Sequence, residues 1–292
     1  MTTAASDAAR HSLRGLALGD SFGETWFFRP AADLDRQLRD RVLAPAPWPW
    51  TDDTAMAVKV HGMLVSHGGI VPDLLATRFA DRYRADPYRN YGAGMHDVLA
   101  AIADGEPWTE VTGRQFDGQG SWGNGAAMRV APLGAWFADD LDRVAEQARL
   151  SATVTHAHPE AAAGAVAVAI AAALSTRGVD ADELIAATAA RTPASDVAAR
   201  LRRAGELPFS AEPRSVAAVV GCGALISAPD TVPYAIWCAA RHLDDLPEAL
   251  WATVSAGGDM DTTCAIVGGI VAARVGLGQV PGAWLTAAEP LP

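Results

Sequence analysis

An alanine-rich stretch in the middle of the chain decides the fold class, since residues 159–174 read PEAAAGAVAVAIAAAL. Proline is favoured in the first turn of a helix, and the small apolar residues that follow leave no polar face. The stretch therefore predicts a helix that is buried on most of its sides. The apolar run from Ala161 to Leu174 is too short and too rich in alanine to span a bilayer, which requires about 20 residues.

The helical pattern extends outward from this stretch in both directions. After Thr54, side chains recur at the spacing of one helix stripe, namely Met56, Val60, Met63, Leu64 and His67. Alternating runs typical of strands are scarce. Further helices are predicted over 140–151, 181–190, 215–226, 233–243, 247–255 and 262–275, and breaks over 45–50, 117–125 and 191–213. The sequence thus predicts an all-α fold, a compact multi-helix bundle in one domain covering residues 1–292.

Composition narrows the class of protein. The 292 residues include 23 Lys and Arg against 34 Asp and Glu, a net charge of −11 with a pI near 5.0. An acidic chain of this kind is not a general nucleic-acid binder, because phosphate contacts require clustered basic residues. Three widely spaced cysteines in apolar segments predict core positions in a reducing compartment. The first 15 residues lack the basic start and apolar run of a signal peptide, so we expect a cytoplasmic protein without a membrane partner.

Two acidic segments stand at predicted helix starts near opposite ends of the chain. Residues 51–54 read TDDT, and residues 257–263 read GGDMDTT. Asp and Thr cap helices, and capping is the simpler interpretation of either segment alone. A cap needs one side-chain oxygen, however, and adjacent carboxylates repel unless a cation lies between them. If the segments meet, their oxygens form a site suited to two Mg²⁺ or Mn²⁺ ions.

A glycine-rich segment lies between the acidic ones, where residues 118–129 read GQGSWGNGAAMR. Glycines let backbone amides approach a phosphate, although turns use the same residues. The segment lacks the Lys-Ser/Thr of a P-loop and follows no predicted strand, which excludes P-loop and Rossmann sites. Near the N-terminus, Gly15 and Gly19 are spaced for close helix packing, and Asp20 either caps a helix, orients a ligand residue or takes part in catalysis.

Together these segments resemble the ADP-ribosylglycohydrolase family, which includes dinitrogenase reductase-activating glycohydrolase and the ADP-ribosyl-acceptor hydrolases. The family pattern is matched in order over almost the entire chain. The matching motifs are Gly-Asp-x-x-Gly at 19–23, Thr-Asp-Asp-Thr at 51–54, Gly-Asn-Gly-x-x-Met-Arg at 123–129, Thr-His at 155–156 and Gly-Asp-x-Asp-Thr at 258–262.

The resemblance implies hydrolysis of the bond between C1″ of ADP-ribose and an acceptor, at a binuclear Mg²⁺ or Mn²⁺ centre that binds the ribose hydroxyls and a bridging water. The implied metal ligands are Thr51, Asp52, Asp53, Asp259, Asp261 and Thr262. Asp53 and Asp261 are the candidate catalytic bases. Substrate binding is assigned to Asp20, Gly123, Asn124, Gly125, Ala126, Met128 and His156, with the amides of the glycine segment on the diphosphate.

The implied partner is an ADP-ribosylated protein or small-molecule conjugate, and nucleic acid only when it carries ADP-ribose. Arginine, serine, a nucleic-acid end and a metabolite all stay open as acceptors. Relatives often carry a glutamate several residues after the first motif, where this chain reads TWFF at 25–28. The only nearby carboxylate is Glu24, directly after Gly23, and whether it joins the metal site stays open.

Several other side chains have competing interpretations. His156 and His158 are spaced by two without a nearby cysteine, which does not favour a metal site, so we expect His156 to line the pocket. Arg129 pairs either with a site carboxylate or at the surface. Trp48, Trp50 and Trp122 either pack or stack on adenine, and Met56, Met63 and Met128 are predicted core residues.

Two rival functions remain at this point. Residues 259–263 are similar to the Asp-x-Asp-x-Thr of haloacid-dehalogenase-type phosphatases, but that chemistry requires the motif after a strand early in an α/β domain. A catalytically silent ADP-ribose-binding protein of the same fold is the second rival. Retention of both acidic segments disfavours it, because four carboxylates without a cation would be costly to hold together.

Overall fold

The computed structural model describes residues 3–27 and 29–292, and throughout that part of the chain the regular secondary structure is helical. Two isolated β-bridges, Trp48 with Ala288 and Gly123 with Ser227, are the sole strand-like pairings there. The helices are α1 (Thr3–Glu24), α2 (Ala31–Arg39), α3 (Asp52–His67), α4 (Pro72–Ala85), α5 (Ala93–Ala103), α6 (Trp108–Gly113), α7 (Gln115–Gly118), α8 (Ala131–Trp136), α9 (Leu141–Thr153), α10 (Pro159–Thr176), α11 (Ala181–Arg191), α12 (Asp196–Gly205), α13 (Pro213–Val220), α14 (Ala228–Arg241), α15 (Leu246–Val254), α16 (Met260–Val275) and α17 (Gly282–Ala287), with a 3₁₀ turn at Asn124–Ala126. The predicted all-α fold is confirmed.

Most predicted helices begin and end within a few residues of their expected positions, but two boundaries are wrong and one helix was missed. The helix expected over 215–226 ends at Val220, because Gly221 turns the chain with φ +95°. The helix expected from 233 already begins at Ala228 and carries Pro233 inside it. The break expected over 191–213 contains α12, whose first turn is capped by the Ser195 hydroxyl accepting from the backbone N–H of Ala198.

The alanine-rich helix α10 is longer than its sequence pattern indicated. It continues to Thr176, and its 18 residues of mean hydropathy 1.4 are long and apolar enough to cross a membrane by length and composition alone. The expectation that it is too short is therefore wrong. In the fold 78% of this helix is buried, and it packs against α8, α9, α14 and α16, as a core helix does.

Helices α1 and α16 pack in direct backbone contact, and this pairing positions the site. A Cβ atom on Gly19 would lie 2.0 Å from the carbonyl oxygen of Cys264, and one on Gly23 would lie 2.2 Å from that of Met260. The two helices are antiparallel, since Gly15 of α1 meets Gly268 of α16 at the other end of the contact. The close packing predicted from Gly15 and Gly19 is thus present, and it brings the end of α1 to the start of α16.

Candidate metal centre and substrate pocket

The two acidic segments meet at the facing N-termini of α3 and α16. Asp53 lies in the first turn of α3, and Asp261 lies in the first turn of α16. The hydroxyl of Thr262 is 3.4 Å from Oδ2 of Asp53, although the two residues are 209 positions apart. Carboxylate oxygens of Asp20, Asp53 and Asp261 all lie within 4.8 Å of one another. Two helix N-termini, each favouring negative charge, therefore share one acidic cluster.

Asp20 lies beneath this cluster and holds the 51–54 segment. It is fully buried and accepts hydrogen bonds from the hydroxyl of Thr54 at 2.5 Å and from the hydroxyl and backbone N–H of Thr51, each at 2.9 Å. Burial raises the pKa of Asp20 to about 6, against the lowering effect of these hydrogen bonds. Asp20 does not line the cavity, and its hydrogen bonds go to the segment that carries Asp52 and Asp53.

The electrostatics of the cluster fit a hard divalent cation. Burial, with the charges of neighbouring carboxylates, raises the pKa of Asp52, Asp53 and Asp261 well above the ordinary range. Oδ1 of Asp53 is buried and, among the described residues, has no hydrogen-bond partner. Carboxylate and hydroxyl oxygens are the donors that Mg²⁺ and Mn²⁺ prefer, and a cation at the unpartnered oxygen would offset the mutual repulsion.

Glu24, whose participation stayed open in the sequence, lies next to the acidic cluster. Its side chain is 5% exposed and accepts a hydrogen bond of 2.7 Å from the amide of Asn90. Burial, together with the charge of Asp20, raises the pKa of Glu24 to about 7. Glu24 therefore places a carboxylate near the acidic cluster, even though it directly follows Gly23.

A cavity of about 410 Å³ opens above the acidic residues. Its lining includes most of the predicted site residues, namely Asp52, Asp53, Gly123, Asn124, Gly125, Met128, His156, Asp259, Asp261 and Thr262. The Asn124 amide donates to Asp259 at 2.6 Å, which ties the glycine segment to the acidic cluster. Three predicted residues do not line it. Asp20 and Ala126 are fully buried, and Thr51 bonds to Asp20 and Asp53.

His156 supports the glycine segment as a neutral side chain. Its Nδ1 is 2.7 Å from the hydroxyl of Thr155, and burial, together with the charge of Arg129, lowers its pKa to about 3. A Cβ atom on Gly123 or Gly125 would lie 3.1 Å from its Nε2, which explains why glycine occupies both positions. His158 instead accepts from the backbone N–H of Glu160 at the start of α10. The two histidines thus contact different structural partners, Thr155 for His156 and the start of α10 for His158.

A pair of exposed aromatic rings stands at the cavity. Phe116 and Trp122 stack with ring centroids 5.7 Å apart and planes 24° apart, and they are 58% and 43% exposed. Sequence reasoning missed Phe116, although an aromatic residue in a glycine-rich stretch was a usable signal. Trp48 and Trp50 are 1% and 3% exposed, so these two pack and the stacking interpretation is wrong for them.

Arg129 occupies neither of the two environments expected for it. The side chain is fully buried and donates to the carbonyl oxygens of Ser151, at 2.6 Å, and Gly125, at 3.2 Å. Burial lowers the pKa of Arg129 to about 9. The guanidinium thus links the glycine segment, at Gly125, to α9, at Ser151.

Comparison with known proteins agrees with this geometry. The model of the ADP-ribosylglycohydrolase family matches residues 1–290. This chain belongs to the ADP-ribosylglycohydrolase family. Members of this family are hydrolases that act on glycosidic bonds of ADP-ribose, and this chain has the family's all-α fold. The phosphatase alternative is therefore wrong, because it requires a strand before the acidic motif and the structure has a loop there.

Individual relatives cover nearly the whole chain. It is 32% identical to the ADP-ribosylhydrolase ARH3 of Homo sapiens over 96% of this chain and 88% of that protein. It is 24% identical to the ADP-ribosylarginine hydrolase Tri1 of Serratia proteamaculans, over 96% of this chain and 74% of that one. A solved structure described as an ADP-ribosylglycohydrolase-related protein complex superimposes with a TM-score of 0.71 and 28% identity, over 99% of this chain and 94% of that chain.

Proposed function

We propose that this protein hydrolyses the bond between C1″ of an ADP-ribosyl group and its acceptor with the help of two divalent cations, Mg²⁺ or Mn²⁺. The observation that carries the proposal is the convergence of both acidic segments in one cavity with the glycine segment. The substrate is an ADP-ribosylated protein or a small-molecule conjugate.

The cations would be held by the oxygens of Thr51, Asp52, Asp53, Asp259, Asp261 and Thr262. Four carboxylates carry the charge that two divalent ions neutralise, and the unpartnered oxygen of Asp53 supports a ligand there. When bound, such ions act as Lewis acids that polarise water and sugar hydroxyls.

The protein's own carboxylates would manage the proton of the reaction. Asp53 or Asp261 accepts a proton from the water whose oxygen forms the bond to C1″. The bond from C1″ to the acceptor breaks, the acceptor leaves with the electron pair, and it takes up the proton that the carboxylate received. Glycosidic cleavage develops positive charge on the sugar. The surrounding carboxylates stabilise that charge because they are fixed in place by two helix N-termini.

The remaining parts of the cavity suit the ADP portion of the substrate. Within the described residues no Lys or Arg lines the cavity, so we assign the diphosphate to backbone amides of the 123–125 segment and to the cations. Phe116 and Trp122 offer exposed ring faces to adenine.

Release of ADP-ribose from peptides modified on arginine or on serine tests this function. We expect release with Mg²⁺ or Mn²⁺ and none with a chelator, and we expect Asp261→Asn to lower kcat about a hundredfold or more. Asp244→Asn, at a surface carboxylate paired with Arg274, is the matched control and should leave kcat unchanged. Full activity with chelator contradicts the proposal, and binding of ADP-ribose without turnover of any substrate identifies a silent binding protein.

A further inference from the structure

A network of polar contacts lies behind the segment that carries Asp52 and Asp53. Its centre is the guanidinium of Arg89, which forms a bidentate pair with Glu289 at 2.7 and 2.9 Å. The same group donates to the carbonyl oxygen of Trp50 at 3.0 Å and stacks 3.5 Å above the indole ring. We call Trp50, Arg89 and Glu289 the Arg89 clamp.

Residues 287–290 lie alongside residues 48–50 and complete the clamp. The backbone N–H of Trp48 donates to Ala287 at 2.7 Å, and that of Glu289 donates to Trp48 at 2.9 Å. The indole N–H of Trp50 donates to the carbonyl oxygen of Pro290 at 3.2 Å. The backbone directly before Thr51 is therefore held by a segment more than two hundred residues away.

The clamp reaches the candidate site at two points. The backbone N–H of Asp52 donates to the carbonyl oxygen of Arg89 at 2.7 Å. The residue after Arg89 is Asn90, which lines the cavity and donates to Glu24. Asn90 has a φ of +58°, so its orientation depends on the backbone on either side of it. Arg89 is thus hydrogen-bonded to the candidate metal ligand Asp52 and directly precedes the cavity residue Asn90 in the chain.

Contacts that hold the 51–54 segment in place oppose the charge repulsion within the acidic cluster. The like charges of the 51–54 segment and of Asp259 and Asp261 tend to push the two helix starts apart. Bidentate arginine–carboxylate pairs are strong and geometrically specific, and the Arg89 and Glu289 side chains are only 18% and 28% exposed. Residues that orient metal ligands typically change metal affinity 10- to 100-fold when mutated.

We propose that Glu289 is a positioning residue of the metal centre, which acts through Arg89 on Asp52 and Asn90 and thereby raises the affinity for divalent cations. This inference rests on the proposed function. It requires no contact between Glu289 and metal or substrate.

Titration of the full chain with Mn²⁺, followed by the electron paramagnetic resonance signal of free Mn²⁺, tests the proposal. We expect Glu289→Gln and Arg89→Lys each to raise the Kd for Mn²⁺ about tenfold. The lysine variant keeps the charge but loses the two-pronged pair. Glu248→Gln removes a comparable bidentate pair with Arg41, away from the acidic segments, and should leave the Kd within about twofold of wild type.

The outcomes separate a positioning role from a structural one. If the variants lower the melting temperature in chelator but bind Mn²⁺ as wild type does, the clamp is structural and the proposal is overturned. If Glu289→Gln does not fold, Arg89→Lys and the milder Trp50→Phe, which deletes the indole N–H bond to Pro290, carry the same test. A wild-type protein that binds no Mn²⁺ overturns the proposed function itself, a result distinct from equal binding by wild type and variants.

Discussion

At the scale of single residues, the candidate site is defined by carboxyl groups that the fold keeps out of water. Glu24 and Asp20 have pKa values raised to about 7 and about 6, mainly by burial. A buried carboxyl group of this kind retains its proton at pH values where an exposed one has lost it. Under the proposed function, protons and divalent cations therefore compete for these carboxyl groups.

Glu24 should make the metal-free protein less stable as pH rises. The unfolded chain loses the Glu24 proton near pH 4.5, whereas the folded protein keeps it until about 7, so the folded state binds more protons across that window and stability falls with rising pH. Glu24→Gln removes the contribution of Glu24 to this pH dependence. In chelator, the free energy of unfolding of wild type relative to the variant should fall by about 2 kcal/mol between pH 4.5 and 7.5. Parallel pH profiles for the two proteins would show that Glu24 ionises normally.

Mn²⁺ affinity should show the opposite dependence on pH. Cations require deprotonated carboxylates, and the pKa values of Asp52, Asp53 and Asp261 are all raised. We therefore expect the Kd for Mn²⁺ to fall at least tenfold from pH 5.5 to pH 8, with proton release on binding that calorimetry in buffers of different ionisation enthalpy would measure. Binding without proton release would contradict the assignment of these carboxylates as ligands.

Trp122 provides a test of the assigned adenine site. Stacking on an aromatic ring is worth about 1–3 kcal/mol per base. With Mn²⁺ present, Trp122→Ala should weaken ADP-ribose binding about tenfold in calorimetry, and Tyr88→Ala, at a side chain that is 91% exposed and outside the cavity lining, should not. Equal affinities for the two variants would place adenine elsewhere.

At the scale of elements, the site depends on how closely α1 approaches α16. A methyl group on Gly19 would lie 2.0 Å from the backbone oxygen of Cys264, so the helices must separate to admit it. Gly19→Ala should lower the free energy of unfolding by about 3 kcal/mol. Gly62→Ala is the control. Among the described residues, a Cβ there meets only the end of Arg78, at 3.8 Å, and alanine favours a helix. Urea denaturation in chelator would measure both, and similar stabilities would refute the close contact.

Local sequence signals predicted the presence of helices better than the residues at which they begin and end. Capping residues and spacing placed α3 and α16 because both signals lie within a few neighbouring residues. The end of α13 was missed because Gly221 turns there against Asp230, where a Cβ would lie 2.3 Å from the carboxylate, and this contact is tertiary. Similarly, Ser195 is an ordinary N-cap, yet the surrounding prolines and glycine concealed α12.

At the scale of the whole molecule, the sequence motifs contain most of the residues that the fold brings together in one cavity, but they do not show which residues support them. The acidic motifs and glycine segment were visible as unusual groupings of residue types. The contacts of Arg129 and Glu289 were not visible, because each depends on a partner distant in sequence and on burial that no local pattern reports. A continuous hydrophobic core from Ala9 to Ala287 supports the proposal that residues 1–292 form one domain.

The central claim is that segments 209 positions apart combine to hold two divalent cations. Anomalous diffraction from crystals soaked in Mn²⁺ tests it most directly. We predict two anomalous peaks between the carboxylates of Asp53 and Asp261, about 3.5–4 Å apart as in other two-metal sites. Diffraction that shows both helix N-termini but no anomalous peak within bonding distance of either carboxylate would contradict the account.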